Sequence, residues 1–172
     1  VESLEKKYSW LEREDETGTT IRLLGWMSPP NWAEVVVGYA ISIYFSAILR
    51  GKLELEVGNL KLSKDTFYDF LNDQAFLSTV KKYDENCHEE IELARWFARC
   101  LDEEDHNVIR DEKQIHRLGR CSIKLVIDDD APRRFGVLRN DILITSSLST
   151  FYKRHPSIYK PYVGLVECSE DN

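Results

Sequence analysis

The feature that most constrains the fold is a long apolar segment, residues 32–50, which the sequence predicts to be one helix. Its aliphatic and aromatic residues point in nearly all directions around a helix, so it must pack on more than one side. Asn31 is placed to cap the start of this helix, and Gly51 is placed to end it. Glu34 and Ser42 lie within the segment and favour a buried helix over a membrane span.

Short apolar runs elsewhere predict strands, with helical patterns between them. Residues 102–113 are polar and acidic and are expected to form a loop. Residues 134–138 are expected to pair with 122–127 as a hairpin, and the last strand is expected to close the sheet. The order of elements indicates the α+β class, a mixed β-sheet with packed helices. The predicted strands are 18–26, 52–57, a return at 60–62, 122–127, 134–138, 142–145 and 162–168, and the predicted helices are 32–50, 63–71, 74–83 and 89–101.

Composition restricts the class of partner and the compartment. A net charge of -7 and a pI near 5.2 argue against a general coat on nucleic acid, although a local basic patch is compatible with them. The four cysteines are irregularly spaced and include no CxxC pair, so a disulfide framework is not expected. Reduced thiols, and first residues without a signal-peptide pattern, predict a cytoplasmic protein with no membrane partner.

Residues 18–26 are predicted to form a strand that follows a short charged leader, residues 1–17. The leader is too short to supply the rest of a sheet, so the strand is expected to belong to a domain that lies before it. Residues 1–27 are therefore assigned to the remnant of an upstream domain, and residues 28–172 to a second domain.

The run Gly18-Thr19-Thr20-Ile21-Arg22-Leu23, followed by a proline break, the apolar helix and residues 45–57, resembles the junction after the nucleotide lid in histidine-kinase-like (GHKL) ATPases. In that superfamily a Gly-Thr pair opens the last strand of the ATPase domain, and the Thr hydroxyl and nearby amides help to hold the nucleotide. The resemblance implies that Gly18 and Thr19 bind nucleotide. It also implies that residues 1–27 end an ATPase domain, and that residues 28–172 are transducer-like.

Residues 118–125 and 133–145 are similar to a pattern that follows the ATPase domain in bacterial GHKL ATP-binding proteins and usually reads Arg-Asn-Gly-Met-Leu-Ile. Arg139 and Asn140 keep the first two residues of that pattern. Asp141 and Ile142 replace Gly and Met, which leaves the backbone conformation of the turn open.

Arg139 ends an apolar strand at a point where a hydrophilic side chain leaves the sheet. A guanidinium there can hold a phosphate with a forked pair of hydrogen bonds. GHKL transducers commonly insert a basic residue toward the γ-phosphate, and the resemblance gives that role to Arg139, with Lys124 and Arg134 behind it. The alternative is a surface arginine paired with Asp141 or Asp128.

No Asp-x-Gly-x-Gly nucleotide loop is present, so no catalytic residue is assigned, and ATP and Mg²⁺ are expected only in a parent ATPase. Cys87-His88 is the one close pair of metal-ligating residue types. Adjacent side chains cannot easily reach one ion, so no metal site is expected. A Cys–His nucleophile would lack an orienting partner, so the isolated chain is expected to be non-catalytic.

A basic and aromatic patch stands out in this acidic chain. It suits phosphate contact with base stacking, a protein interface or a solvated loop. The patch consists of Tyr152, Lys153, Arg154, Tyr159 and Lys160.

These patterns favour a regulatory, non-catalytic transducer segment that couples the nucleotide state of an upstream ATPase domain to conformational change or dimerisation. The expected partners are that domain, a second copy or another protein, and nucleic acid through the basic patch. The alternative is a stand-alone protein–protein interaction domain that uses the apolar helix and the same patch.

Overall fold

A computed structural model describes residues 27–116, 119–148 and 160–169 of the chain. Within these ranges the chain forms a five-stranded mixed sheet, a two-stranded sheet and four helices. The α+β class predicted from the sequence is confirmed, and the predicted strand at residues 18–26 lies outside the described ranges. The helices are α1 Trp32–Leu49, α2 Phe67–Asn72, α3 Gln74–Tyr83 and α4 Glu85–Leu101, and the strands are β1 Leu55–Val57, β2 Leu60–Leu62, β3 Val108–Ile115, β4 Gly119–Ile127, β5 Arg134–Arg139, β6 Ile142–Thr145 and β7 Tyr162–Ser169.

Helix α1 packs on several sides, as its apolar character predicts. Ile41, Phe45 and Ile48 are fully buried, and the helix contacts α3, α4, β6 and the two-stranded sheet. Helix α1 is long and apolar enough to span a membrane, but core helices of soluble proteins can have the same length and composition. Half of the helix is buried inside the protein.

Helix α1 starts at Trp32 after Asn31 and ends just before Gly51, as the sequence predicts, but Asn31 does not cap it with its side chain. Gly51 has φ +67°, and its amide donates to the carbonyl of Ile48 at 2.9 Å. The amide of Lys52 donates to the carbonyl of Ala47 at 2.8 Å, which completes a Schellman motif. Asn31 precedes the helix with φ 56°, but its side chain makes no capping hydrogen bond.

Helix α4 crosses close to α1 because a glycine lies at the contact. A Cβ atom on Gly38 would lie 2.8 Å from Sγ of Cys87 and 3.0 Å from the side chain of Ile91. Further along, the rings of Phe45 and Phe97 stack with centroids 5.9 Å apart. These contacts join α1 and α4, the two longest helices in the described ranges, into one apolar layer over the sheet.

The five-stranded sheet has the order β3-β4-β7-β5-β6. Strand β7 is antiparallel to β4 and parallel to β5, and it lies between them. The predicted hairpin between residues 122–127 and 134–138 is therefore wrong, and the last strand enters the middle of the sheet. Val163 and Leu165 are buried and Val166 is half-buried, so β7 is apolar on both faces, as a central strand is.

Strand β3 replaces the second half of the loop predicted at residues 102–113. Only its first residue, Val108, is buried, and charged side chains follow from Arg110 to Lys113. Such a strand lies at the edge of the sheet with little covering either face, so its sequence shows no apolar alternation.

The helices pack on one face of the sheet, and we call the opposite face the outer sheet face. The inner face contributes Val126, Leu138 and Leu165 to the core with the helices. Residues that alternate with these side chains point outward, and among the described residues no helix covers them. Five of the outward residues are exposed isoleucines: Ile109, Ile115, Ile123, Ile127 and Ile142.

Candidate functional site

The turn between β5 and β6 has an unusual backbone. Asn140 and Asp141 have φ 50° and φ 63°, so two consecutive residues are left-handed. This is the arrangement of a type I′ hairpin turn, for which Asn-Gly is the favoured pair. The turn therefore adopts with Asp141 the backbone that glycine would favour, at a conformational cost that a non-glycine residue normally bears.

The carboxylate of Asp141 has three partners at the end of α1. Ser46 donates its hydroxyl to Oδ1 of Asp141 at 3.1 Å, and Nζ of Lys52 donates to Oδ2 at 2.6 Å. Arg50 donates to Oδ1 as well. Asp141 is buried, so these contacts hold a charged group that would otherwise be costly to remove from water.

The same arginine also binds the central strand. Arg50 donates from Nη2 to Oε2 of Glu167 at 2.9 Å, and Nζ of Lys124 reaches the same oxygen at 3.2 Å. Together these contacts join the end of α1, the β5–β6 turn, β4 and β7. We call this group the anchor cluster: Ser46, Arg50, Lys52, Lys124, Asp141 and Glu167.

The anchor cluster keeps its two carboxylates ionised. Burial alone would raise the pKa of Asp141, but the hydrogen bond from Lys52 and the charge of Arg50 outweigh it and lower that pKa. Burial would likewise raise the pKa of Glu167, and the hydrogen bond and charge of Arg50, aided by Lys124, lower it. Three cations thus face two carboxylates within the anchor cluster.

Arg139 is exposed and ends β5 two residues before Asp141, as the sequence predicts. It lies opposite Ile142 on β6 and Cys168 on β7, and its side chain therefore belongs to the outer sheet face. The charge of Arg139 acts to lower the pKa of Cys168, although burial and a hydrogen bond with Cys121 leave that pKa raised overall.

The structure separates Arg139 from the residues grouped with it. Lys124 lies on the inner face, where it binds Glu167, and Arg134 is at the opposite end of β5. The two carboxylates considered as alternative partners have other cations. Arg50 and Lys52 bind Asp141, and Arg99 binds Asp128 at 3.1 Å.

Several predicted site residues lie outside the described ranges: Gly18, Thr19, Tyr152, Lys153, Arg154 and Tyr159. From the basic and aromatic patch, Lys160 is described, and it is exposed just before β7. The predicted patch and the predicted Gly-Thr nucleotide contact therefore stay predictions.

Two open clefts flank the sheet. One, of about 490 Å³, lies between α4 and the β5–β6 hairpin and combines acidic side chains, including Glu89 and Glu90, with Trp96 and Arg134. The other, of about 530 Å³, extends from Lys124 and Glu167 of the anchor cluster to Arg110 and Arg120. Arg120 is engaged with Glu112 at 2.9 Å, so this cleft holds paired charges rather than a converging set of cations.

In the portion of the chain with described positions, no three His, Cys, Asp or Glu side chains come together as a metal site would require. Cys87 is buried in the contact between α1 and α4, and burial raises its pKa to about 12, so it remains a thiol at neutral pH.

Sequence reasoning missed the anchor cluster. Its members are spread from residue 46 to residue 167, and only the fold brings them together. One signal was available: Asp141 stands where a type I′ turn favours glycine, and a charged residue in such a position needs partners that offset its conformational cost.

Comparisons of the chain with protein families, with curated proteins and with solved structures found no match.

Proposed function

We propose that this chain is a non-catalytic, transducer-type segment of a GHKL-like ATP-binding protein, which passes the nucleotide state of a preceding domain to the rest of the molecule. The observation that carries the proposal is the link between Arg139 and the core. Arg139 is exposed at the end of β5, and two residues later the buried Asp141 is fixed to the end of α1.

This link gives a physical path for coupling. A phosphate bound by Arg139 would shift the β5–β6 turn. Because the carboxylate of Asp141 in that turn is bonded to Ser46 and Lys52, the shift would also move the end of α1. Coupling requires contacts that differ between two nucleotide states, and a guanidinium that gains or loses a γ-phosphate supplies such a difference.

The turn conformation also supports the resemblance. Asn140 and Asp141 adopt the left-handed pair that Asn-Gly adopts in type I′ turns. The replacement of Gly by Asp is therefore compatible with the same hairpin, with the contacts from α1 offsetting the conformational cost.

In this proposal ATP and Mg²⁺ are held by the upstream ATPase domain in the cytoplasm, and this chain supplies only the phosphate contact. Titration calorimetry of ATP into the isolated chain is expected to show no binding with a dissociation constant below about 1 μM, because most of the site lies elsewhere. Tight binding by the chain alone would contradict the proposal, as would a gene that encodes no nucleotide-binding domain before Val1.

The role of Arg139 is tested in the protein as its gene encodes it. Arg139→Ala is expected to weaken the ATP-dependent conformational change without unfolding the domain, because the side chain is exposed. Arg134→Ala, at the other end of the same strand, is the matched control. If the two variants have the same ATPase rate and the same conformational change, Arg139 is not a phosphate sensor.

A second candidate function is an interaction domain that pairs with a second copy of itself through the outer sheet face. The specific observation is the row of exposed isoleucines on that face. Strands about 4.8 Å apart with a rise of about 3.3 Å per residue give five strands a face of roughly 600 Å². Two such faces bury about 1,200 Å², which is the lower limit for a stable, specific interface.

A further inference from the structure

Two of the cysteines face each other across the centre of the sheet. Cys121 on β4 and Cys168 on β7 are direct partners in the antiparallel register, and their Sγ atoms lie 3.5 Å apart. Directly opposed residues in antiparallel strands have Cα atoms about 4.5 to 5.5 Å apart. That separation lies within the range that a disulfide bond spans.

The other two cysteines have different surroundings. Cys87 and Cys100 are fully buried, and their Sγ atoms lie beside backbone carbonyls at 3.8 and 3.9 Å. Burial raises the pKa of each to about 12, so both stay protonated and unreactive near neutral pH. Cys121 and Cys168 are only half-buried, which separates them from this pair.

A small reagent can approach the facing pair from the side of Cys121. A shallow groove of about 210 Å³ on the outer sheet face is lined by Cys121, Ile115, Ile123 and Val166. Cys168 does not line this groove, and Arg139 lies on its other side in the parallel register with β5.

We propose that Cys121 and Cys168 form a reactive dithiol that closes to a cross-strand disulfide by exchange with a low-molecular-weight disulfide such as oxidised glutathione. Cys121 attacks first, since it lines the groove, and Cys168 resolves the mixed disulfide. Burial and the hydrogen bond with Cys121 raise the pKa of Cys168, which makes it the poorer first nucleophile.

The exchange proceeds in two balanced steps. The Cys121 thiol loses its proton to water, and the thiolate attacks one sulfur of oxidised glutathione. The S–S bond of that reagent breaks, and one glutathione thiolate leaves and takes up a proton. Cys168 then loses its proton to water, and its thiolate attacks Sγ of Cys121. The mixed disulfide bond breaks, and the second glutathione leaves as a thiolate that takes up a proton. Two electrons pass from the protein to the reagent, and a reducing thiol reverses both steps.

The first test uses the folded wild-type chain with oxidised glutathione, followed by alkylation and peptide mapping by mass spectrometry. The expected product is one intramolecular disulfide between Cys121 and Cys168, with Cys87 and Cys100 still alkylated as thiols once the chain is unfolded. The same reaction in guanidinium is the control and should give mixed pairings. A folded chain that forms no such bond, or that gives the same mixture as the unfolded chain, would overturn the proposal.

Two serine variants test the order of attack. Cys168→Ser is expected to accumulate a glutathione adduct on Cys121, because nothing resolves it. Cys121→Ser is expected to react several-fold more slowly at Cys168. Equal rates in the two variants would refute the assignment of Cys121 as the first nucleophile.

Melting temperature provides a readout that does not depend on mapping. The bond would close a loop between residues 121 and 168, and the oxidised chain is expected to melt roughly 5 to 15 °C higher than the reduced chain. Dithiothreitol should reverse the shift. An oxidised chain that melts at or below the temperature of the reduced one would show that the native strands do not accept the bond.

Discussion

At the scale of the residue, the carboxylate of Asp141 joins three side chains from the end of α1. Its left-handed backbone is unfavourable for a residue with a Cβ atom, and its buried carboxylate is unfavourable without partners. Ser46, Arg50 and Lys52 offset both costs at once. The side chain thereby connects the hairpin turn to the core helix. Substitution can separate the effect of the carboxylate contacts from the effect of the left-handed backbone.

Asp141→Ala and Asp141→Gly both remove the carboxylate, but only glycine adopts φ 63° without a conformational cost. We expect each variant to lower the free energy of unfolding. The alanine variant should lose about 2 to 4 kcal/mol, because it removes the partner of Arg50 and Lys52. The loss is no larger because both cations are partly exposed and recover some hydration. The glycine variant should lose about 1 kcal/mol less. Urea denaturation measures both, and equal losses would show that backbone conformation contributes nothing at this position.

The anchor cluster also contributes to the decrease in unfolding free energy at acid pH. The pKa values of Asp141 and Glu167 are lowered in the folded state, in each case against the opposing effect of burial. Their contribution is therefore complete above the unfolded pKa values of about 4 and is lost as the pH falls through the lower folded values. Asp141→Asn should flatten the fall in unfolding free energy as the pH drops below about 4. An unchanged slope in the variant would place the acid sensitivity elsewhere.

At the scale of the element, the central position of β7 depends on Gly164. A Cβ atom there would lie 2.2 Å from the ring of Phe135 on the neighbouring strand β5. Hydrogen bonds to β4 and β5 on both sides prevent β7 from moving away. The aromatic ring thus lies directly over the backbone of β7, and only glycine leaves room for it.

Gly164→Ala is expected to destabilise the protein by about 1 to 3 kcal/mol through overpacking. A smaller side chain at residue 135 should relieve the clash, so the double variant Gly164→Ala with Phe135→Leu should lose less than the sum of the two single changes. Thermal unfolding of the four proteins measures this coupling. Strictly additive losses would mean that the clash at Phe135 is not the cause.

The positions of individual helices and strands could be predicted from the sequence better than the pairing of the strands in the sheet. Residues 74–83 and 142–145 were placed correctly, because their apolar periods and flanking residues are local signals. Helix α4 begins at Glu85 rather than at residue 89, because Asp84 caps it by accepting a hydrogen bond from the amide of Cys87 at 2.9 Å.

Strand pairing could not be derived in the same way. Strand β5 follows β4 in the chain, yet β7 lies between them, because neighbours in a sheet are chosen by long-range packing. The position of Arg139 at a strand end was predictable from its local pattern. The partners of Asp141 come from α1, about 90 residues earlier in the chain, and no local pattern indicates them.

At the scale of the whole molecule, the sheet has one face against the helices and one apolar outer face. If a second copy covers that face, sedimentation velocity should show a dimer. The double variant Ile109→Lys with Ile127→Lys should then be monomeric, because buried lysines would lack partners. Val36→Lys, an exposed aliphatic position on α1, is the matched control. A wild-type chain that stays monomeric at high concentration would remove this candidate function.

Coupling also acts across the whole molecule, since nucleotide bound upstream must alter the end of α1. The measurement that tests it most directly is hydrogen exchange in the protein as its gene encodes it, with and without a non-hydrolysable ATP analogue. We expect the analogue to slow exchange in the β5–β6 turn and at the C-terminal end of α1, and Arg139→Ala to abolish that protection. Saturating nucleotide that leaves exchange in both elements unchanged would contradict the coupling role.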